Sequence, residues 1–230
     1  MAVNKMLLFD IDGTLLMTGG AGRIAFERAF EELFGIKNAW GDTMPDGKTD
    51  PIIIREIAAR TIQRKLKKKE YARLCERYLL YFAEGIINSP RFRLLPGVPK
   101  LLELLAGMEH LILGIVTGNF EGAAWAKLEK GGLKHYFRFG GFGSDSWDRA
   151  EITRIALARG LRNVAKRVPR ENIFVIGDTP HDVLAAKKLG VKSIAVKTGH
   201  TPENELLASR PDYILPDLSD SEKFLGILKN

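Results

Sequence analysis

One cysteine, one glutamine and no apolar run approaching the length of a bilayer span set the first limits on this 230-residue chain. A lone Cys75 excludes an intrachain disulfide, and no Cys/His cluster has zinc-ligand spacing. Cys75 falls on the apolar stripe of a predicted helix, the setting of a core residue and not of a reactive thiol. A transmembrane helix needs about 20 apolar residues, and the chain enters a strand without an apolar leader, so a cytoplasmic protein without a membrane partner is expected. Scarce glutamine beside abundant Lys, Arg and Glu is a compositional trait of thermophilic proteins.

Apolar residues make up 45% and charged residues 27% of the chain, which excludes disorder and fibre and fits a soluble globular protein. A net charge of +7 and a pI near 9.5 suit anionic partners. The basic residues are nevertheless scattered. Their densest run, Arg64-Lys65-Leu66-Lys67-Lys68-Lys69, separates two helical patterns and reads as a solvated connection. With no aromatic platform and no recognisable reading helix, nucleic acid is not an expected partner.

What the chain does contain is an apolar run, Met6-Leu7-Leu8-Phe9, that breaks into Asp10-Ile11-Asp12-Gly13-Thr14. A continuous apolar run reads as a strand buried on both faces, and acids at its end must be compensated by a metal, a cation or a catalytic role. Residues two apart in an extended segment face the same way, so Asp10 and Asp12 can share one site. The alternative is an ordinary Asp-Gly turn with Thr14 bonding locally.

Downstream, apolar spacing predicts a helix at 22–34, a Gly/Asp/Pro-rich loop at 41–50, and helical stripes through Ile53-Ile62 and Tyr71-Ile86. This block, 17–90, is read as strand-free. From residue 91 the pattern alternates, with helices at 99–105, 121–129, 150–159 and 182–189. Strands are expected at 111–116, near 136–139, at 173–176, at 191–196 and near 213–215. The expected fold is α/β: a Rossmann-like parallel sheet formed by 1–16 and 91–230, helices on both faces, and an inserted all-helical domain at 17–90.

Ligands of open parallel sheets bind beyond the carboxyl ends of the strands. The strands here end in Asp10 and Asp12, in Thr117-Gly118-Asn119, and in Gly177-Asp178-Thr179-Pro180-His181-Asp182, while Arg149 opens the helix before the third of these. Acids, a hydroxyl and one cation converge on a single edge.

This set, in this order, resembles the haloacid dehalogenase superfamily of phosphotransferases. Asp10-Ile11-Asp12-Gly13-Thr14 is similar to its first motif, Thr117-Gly118-Asn119 to its second, Arg149 to its basic third, where lysine is commoner, and Gly177-Asp178 with Asp182 to its acidic fourth. The position of the helical insertion is similar to the subgroup of phosphoglycolate phosphatases and β-phosphoglucomutases, whose cap closes over the active site.

The resemblance implies that Asp10 attacks phosphorus to form an aspartyl-phosphate, which water then hydrolyses. It implies a Mg²⁺ cofactor held by Asp10, the Asp12 backbone carbonyl and Asp178, with Asp182 behind, orienting a metal water or Arg149. Asp12 becomes the acid that protonates the leaving alkoxide and the base that activates water. Thr117, Gly118, Asn119 and Arg149 become the phosphoryl-binding group. The implied reaction is Mg²⁺-dependent hydrolysis of a small phosphate ester, with a sugar-phosphate mutase as the alternative and a catalytically silent binding protein as a third reading.

Substrate choice is assigned to Met17-Thr18-Gly19-Gly20 and Gly47-Lys48-Thr49-Asp50, with Arg55 behind, although each is equally ordinary hinge or turn chemistry. His110, His135, His181 and His200 show no metal-ligand spacing. His181 and His200, near the site in sequence, are read as exposed residues and not as catalysts.

Overall fold

The computed structural model describes residues 5–162 and 168–229. Its centre is β1 (Lys5–Phe9), which pairs in parallel with β4 (Leu111–Val116) on one side and β6 (Ile173–Gly177) on the other. The sheet is completed by β5 (Gly140–Gly141), β7 (Lys192–Val196) and β8 (Tyr213–Leu215) in the order β5-β4-β1-β6-β7-β8. Every pairing in it is parallel.

The period of two in β1 divides its apolar run between two cores. Leu7 and Phe9 join a cluster with Ile115, Phe174 and Ile194, covered by α4 (Val98–Ala106) and α9 (Ser221–Lys229). Met6 and Leu8 join a second cluster with Val175, Ile152 of α6 (Arg149–Arg162) and Ala186 of α7 (Pro180–Leu189). Burial on both faces is why the strand shows no polar alternation. It also leaves the strand end as the place where a side chain can turn polar.

Between Met17 and Arg93 the chain forms α1 (Ala21–Phe34), α2 (Asp50–Thr61) and α3 (Lys68–Ile87). These helices have their own core, in which Phe26, Phe30, Ile54, Ile57, Leu74, Tyr78 and Phe82 are buried. Phe26 and Tyr78 stack with centroids 3.9 Å apart. Full burial of such side chains contributes roughly 1.5–3 kcal/mol each, enough to give three helices a preferred packing. Phe120 and Ala123, from the start of α5 (Glu121–Lys130), complete this cluster and tie it to the sheet. Cys75 is partly buried against it, and burial pushes its thiol up to about 11. The basic run lies between α2 and α3 up to Lys67, with Lys68 and Lys69 opening α3 and Arg64 on Glu70.

Several elements depart from expectation. The strand near 136–139 is instead a 3-10 turn at Lys134–Tyr136 followed by β5 at two glycines. The cause is the close approach of α6: a Cβ at Gly141 would collide with the Ile152 carbonyl. One strand residue, Met17, falls in the block 17–90: at its edges β2 (Leu16–Met17) pairs antiparallel with β3 (Arg93–Leu94), making a ribbon of the two chain crossings. Asp50, placed in a loop by the sequence, is the first residue of α2. Two further helices, α8 (Glu203–Ala208) and α9, were not expected.

Candidate active site

Asp10 continues β1 by one residue, its N–H donating to the Ile176 carbonyl at 2.8 Å. Strand parity puts its side chain on the α6/α7 side, the side of Leu8. Arg149, first in α6, and Asp182, in the first turn of α7, are the groups waiting there. Arg149 Nη2 lies 2.9 Å from Asp10 Oδ1 and 2.5 Å from Asp182 Oδ1, and Nε donates to the same Asp182 oxygen at 2.9 Å. The other Asp182 oxygen accepts from Thr179 N–H and Oγ1, closing a capping box at the α7 N-terminus. One carboxylate thus starts a helix and aims a guanidinium.

Asp178 lies past the end of β6 and accepts from Thr14 Oγ1 at 3.1 Å. Asp10, Asp178 and Asp182 are all buried, and each offers an oxygen within 4.8 Å of the others. Among the described residues, the cation that pairs with these acids is Arg149, through Asp10 and Asp182. Burial is the largest influence on Asp10 and pushes its pKa up to about 6, with Arg149 opposing. Asp178 is raised well above the carboxylate range by burial, then by Asp10 and Asp182. Burial works against the Arg149 charge, but Asp10 and Asp182 outweigh it and hold the guanidinium protonated. An all-oxygen donor set with surplus buried negative charge fits a hard divalent cation.

Thr117 is buried at the end of β4, and its Oγ1 accepts from Asn119 N–H at 3.3 Å. Asp12 borders the same cavity as Thr117. Its Oδ2 is 2.5 Å from Lys127 Nζ, and that ammonium also donates to Asn119 Oδ1 at 2.8 Å. Lys127 was missed in the sequence, where a helical lysine reads as solvated. It occupies the buried stripe of α5 with Ala123, Ala124 and Leu128, and that register was the available signal.

Asp10, Asp12, Thr117, Gly118, Asn119, Arg149 and Asp178 all line one cavity of about 420 Å³. Its far wall comes from the helical block, including Phe26, Trp40, Ile53 and Tyr78. Met17-Thr18-Gly19-Gly20 and Gly47, Lys48 and Asp50 reach it as well. Thr49 instead hydrogen-bonds the Trp147 carbonyl, and Arg55 lies over the Trp147 ring, outside the lining. His181 is exposed and faces Gly47, whereas His200 borders the cavity and meets Asp46 at 3.2 Å.

The block is docked on the β4 loop. Asp50 N–H donates to the Gly118 carbonyl at 2.8 Å, and Phe120 N–H donates to Asp50 Oδ2 at 2.7 Å. The fit is tight enough that a Cβ at Gly118 would run into the Lys48 carbonyl. Burial pushes the Asp50 carboxyl up to about 6, with Lys127 opposing.

Among relatives, a phosphoglycolate phosphatase of Synechococcus elongatus is 29% identical over 225 residues, covering 94% of each chain. The fold matches a candidate phosphoglycolate phosphatase from Haemophilus somnus with TM-score 0.73 at 20% identity, covering 98% of this chain and 99% of that one. It also matches a candidate β-phosphoglucomutase from Bacteroides vulgatus with TM-score 0.70 at 21% identity, covering 99% and 89%. Residues 7–196, which span β1 through β7 and every strand-end group above, match the family described as haloacid dehalogenase-like hydrolase, and the chain belongs to that family.

Proposed function

We propose that this hydrolase is a Mg²⁺-dependent phosphatase of small phosphate monoesters, with residues 1–16 and 91–230 as its catalytic core and 17–90 as a helical cap. The observation that carries the reading is Asp10, a buried carboxylate at the central strand end, 2.9 Å from the Arg149 guanidinium and grouped with Asp178 and Asp182. The 29% identity to a phosphoglycolate phosphatase along nearly the whole chain supports the same class.

In this reading an Asp10 oxygen attacks phosphorus, forming one P–O bond as the bond to the leaving oxygen breaks. Asp12 gives its proton to that oxygen and then takes one from the water that hydrolyses the aspartyl-phosphate, so the enzyme returns to its starting state. Thr117 Oγ1 donates to a phosphoryl oxygen, with the N–H groups of Ile11, Asp12 and Gly118 beside it and Asn119 lining the loop. Arg149 neutralises the phosphoryl group and Asp10 together, held in place by Asp182. Asp10, the Asp12 carbonyl and Asp178 would hold Mg²⁺, which neutralises phosphoryl charge that the carboxylates would otherwise repel.

The test is a panel of phosphorylated metabolites, 2-phosphoglycolate and hexose 1-phosphates among them, assayed for phosphate release with Mg²⁺ and with a chelator. Release that needs Mg²⁺ and is abolished in Asp10→Asn supports the reading. Isomerisation of a hexose phosphate without release would reassign the protein as a mutase, and inactivity on every ester would leave a binding protein.

A further inference from the structure

The Lys127 side chain is the least expected group near the site. Its side chain is 6% exposed, whereas that of its partner Asp12 is 39% exposed. A leucine or methionine in the Ala123-Ala124-Leu128 stripe would avoid the desolvation of an ammonium, and buried ion pairs seldom outperform well-packed apolar groups in stability. Packing of α5 therefore does not explain the lysine. Its hydrogen bonds do.

Two of its three donors are used, and they go to two different strand-end loops. One meets Asp12 Oδ2, just after β1, and the other meets Asn119 Oδ1, just after β4. The Asp12 carboxylate is thereby held by one oxygen, and among the described residues the other has no hydrogen-bond partner. The ammonium also lies 5.6 Å from the centre of the Phe82 ring on α3, and its charge is felt by Asp50 at the start of α2. Lys127 is thus a core residue surrounded on its outer side by the helical block.

We infer that Lys127 is a positioning residue for Asp12: it fixes one carboxylate oxygen and the carboxylate plane so that the free oxygen faces the leaving group when the helical block is docked. This rests on the reading of Asp12 as acid and base. Lys127 touches neither phosphorus nor the leaving oxygen in this account, and its effect on proton transfer passes through Asp12. Proton transfer needs the carboxyl within hydrogen-bond reach of the oxygen it serves, and an unanchored carboxylate of this exposure samples other rotamers.

The experiment compares Lys127→Met, Asp12→Asn and the double variant in single-turnover release of alcohol from a primary alkyl phosphate and of nitrophenolate from p-nitrophenyl phosphate. Nitrophenolate leaves with little protonation, so a defect confined to the acid spares it. Lys127→Met is expected to slow alcohol release by about 10- to 100-fold, a fraction of a general acid's usual contribution, with KM within about threefold and nitrophenolate release nearly unchanged. Added to Asp12→Asn it should cost nothing more, because its target is already gone.

Equal slowing of both esters by Lys127→Met, or a double variant whose losses multiply, overturns the inference while leaving Asp12 as the acid. Asp12→Asn that slows both esters equally overturns the acid assignment itself. Lys127→Gln, which keeps a donor for Asp12 without the charge, is measured alongside. If the methionine variant does not fold, the same leaving-group pattern in Lys127→Gln, at smaller amplitude, carries the inference, and its absence ends it.

Discussion

Arg149 Nη2 is shared between the proposed nucleophile and its anchor, 2.9 Å from Asp10 and 2.5 Å from Asp182. A guanidinium can serve both because its donors are spread over a rigid fork, whereas an ammonium is a compact point charge. Arg149→Met is therefore expected to lower kcat by about 10²- to 10³-fold, the scale of removing one preorganised charge-stabilising group. Arg149→Lys should recover part of this, because charge returns but the two-donor grip on Asp182 does not. Steady-state kinetics with Mg²⁺ saturating measure both, and equal activity of the lysine variant and the parent would show that the fork is dispensable.

Asp10→Asn should abolish turnover and leave the fold intact, since it preserves shape while removing the proposed nucleophile. Without Mg²⁺ it should also raise the midpoint of thermal unfolding near neutral pH, because a carboxyl whose pKa is pushed up to about 6 pays for its ionisation in the fold. An inactive variant with a lowered midpoint would point instead to Asp10 as a structural partner of Arg149.

Mg²⁺ should stabilise the parent against heat. Binding at 100 times the dissociation constant contributes about 2.7 kcal/mol, on the order of 5 °C or more for a chain of this size. Asp178→Asn removes one anionic oxygen from the cluster and should shift both this stabilisation and the half-saturating Mg²⁺ for activity to higher concentration. A titration that matches the parent would move the cation elsewhere.

Asp50 sets a pH dependence of stability at the contact between block and sheet. Its carboxyl stands at about 6 in the fold against an ordinary 3.8, so between those values the folded chain holds a proton that the unfolded chain has released. Stability attributable to Asp50 thus falls as pH rises from about 4 to 6 and is level above that. Asp50→Asn lacks this loss, so its stability relative to the parent should be greater at pH 7.5 than at pH 4 by roughly 2–3 kcal/mol. Urea unfolding at the two pH values measures the difference, and a constant difference would mean that Lys127 compensates the charge fully.

The β2–β3 ribbon makes removal of the block practicable. Leu16–Met17 and Arg93–Leu94 already pair antiparallel, so a two-residue turn in place of 18–92 converts the ribbon into a hairpin. Such a protein, if soluble, should retain slow Mg²⁺-dependent hydrolysis of aryl phosphates and lose discrimination among metabolites, because lids exclude water and complete the substrate site. An unchanged substrate ranking would place specificity in the sheet-end loops.

The strand-end groups were legible because they contradict their surroundings. Four apolar residues buried on both faces of β1 make Asp10 stand out, and Asp178 after β6 repeats the pattern, which is what sets the segment apart from an ordinary Asp-Gly turn. Lys127 obeys every surface expectation for a helical lysine, and only the burial of its neighbours Ala124 and Leu128 betrays it. Gly140-Gly141 carries no strand propensity at all; Gly141 is required by the approach of α6, and Gly140 is crowded by the Phe142 ring and Ile115 of β4. The pairs Leu16–Met17 and Arg93–Leu94 are too short for any periodicity to show. Helix α9, with Phe224, Ile227 and Leu228 buried, did carry a readable stripe.

Gly118 acts as a spacer of zero thickness. The absence of a side chain there is what lets the Lys48 carbonyl settle onto the β4 loop and Asp50 reach Phe120. An alanine would be a wedge: one methyl group, driven into the seam from the sheet side, would hold the helical block off its seat while every carboxylate, hydroxyl and cation of the strand ends kept its identity. The discrimination of this enzyme among esters would then be adjustable at a residue whose own side chain touches no substrate, by the volume placed in a gap now closed backbone to backbone.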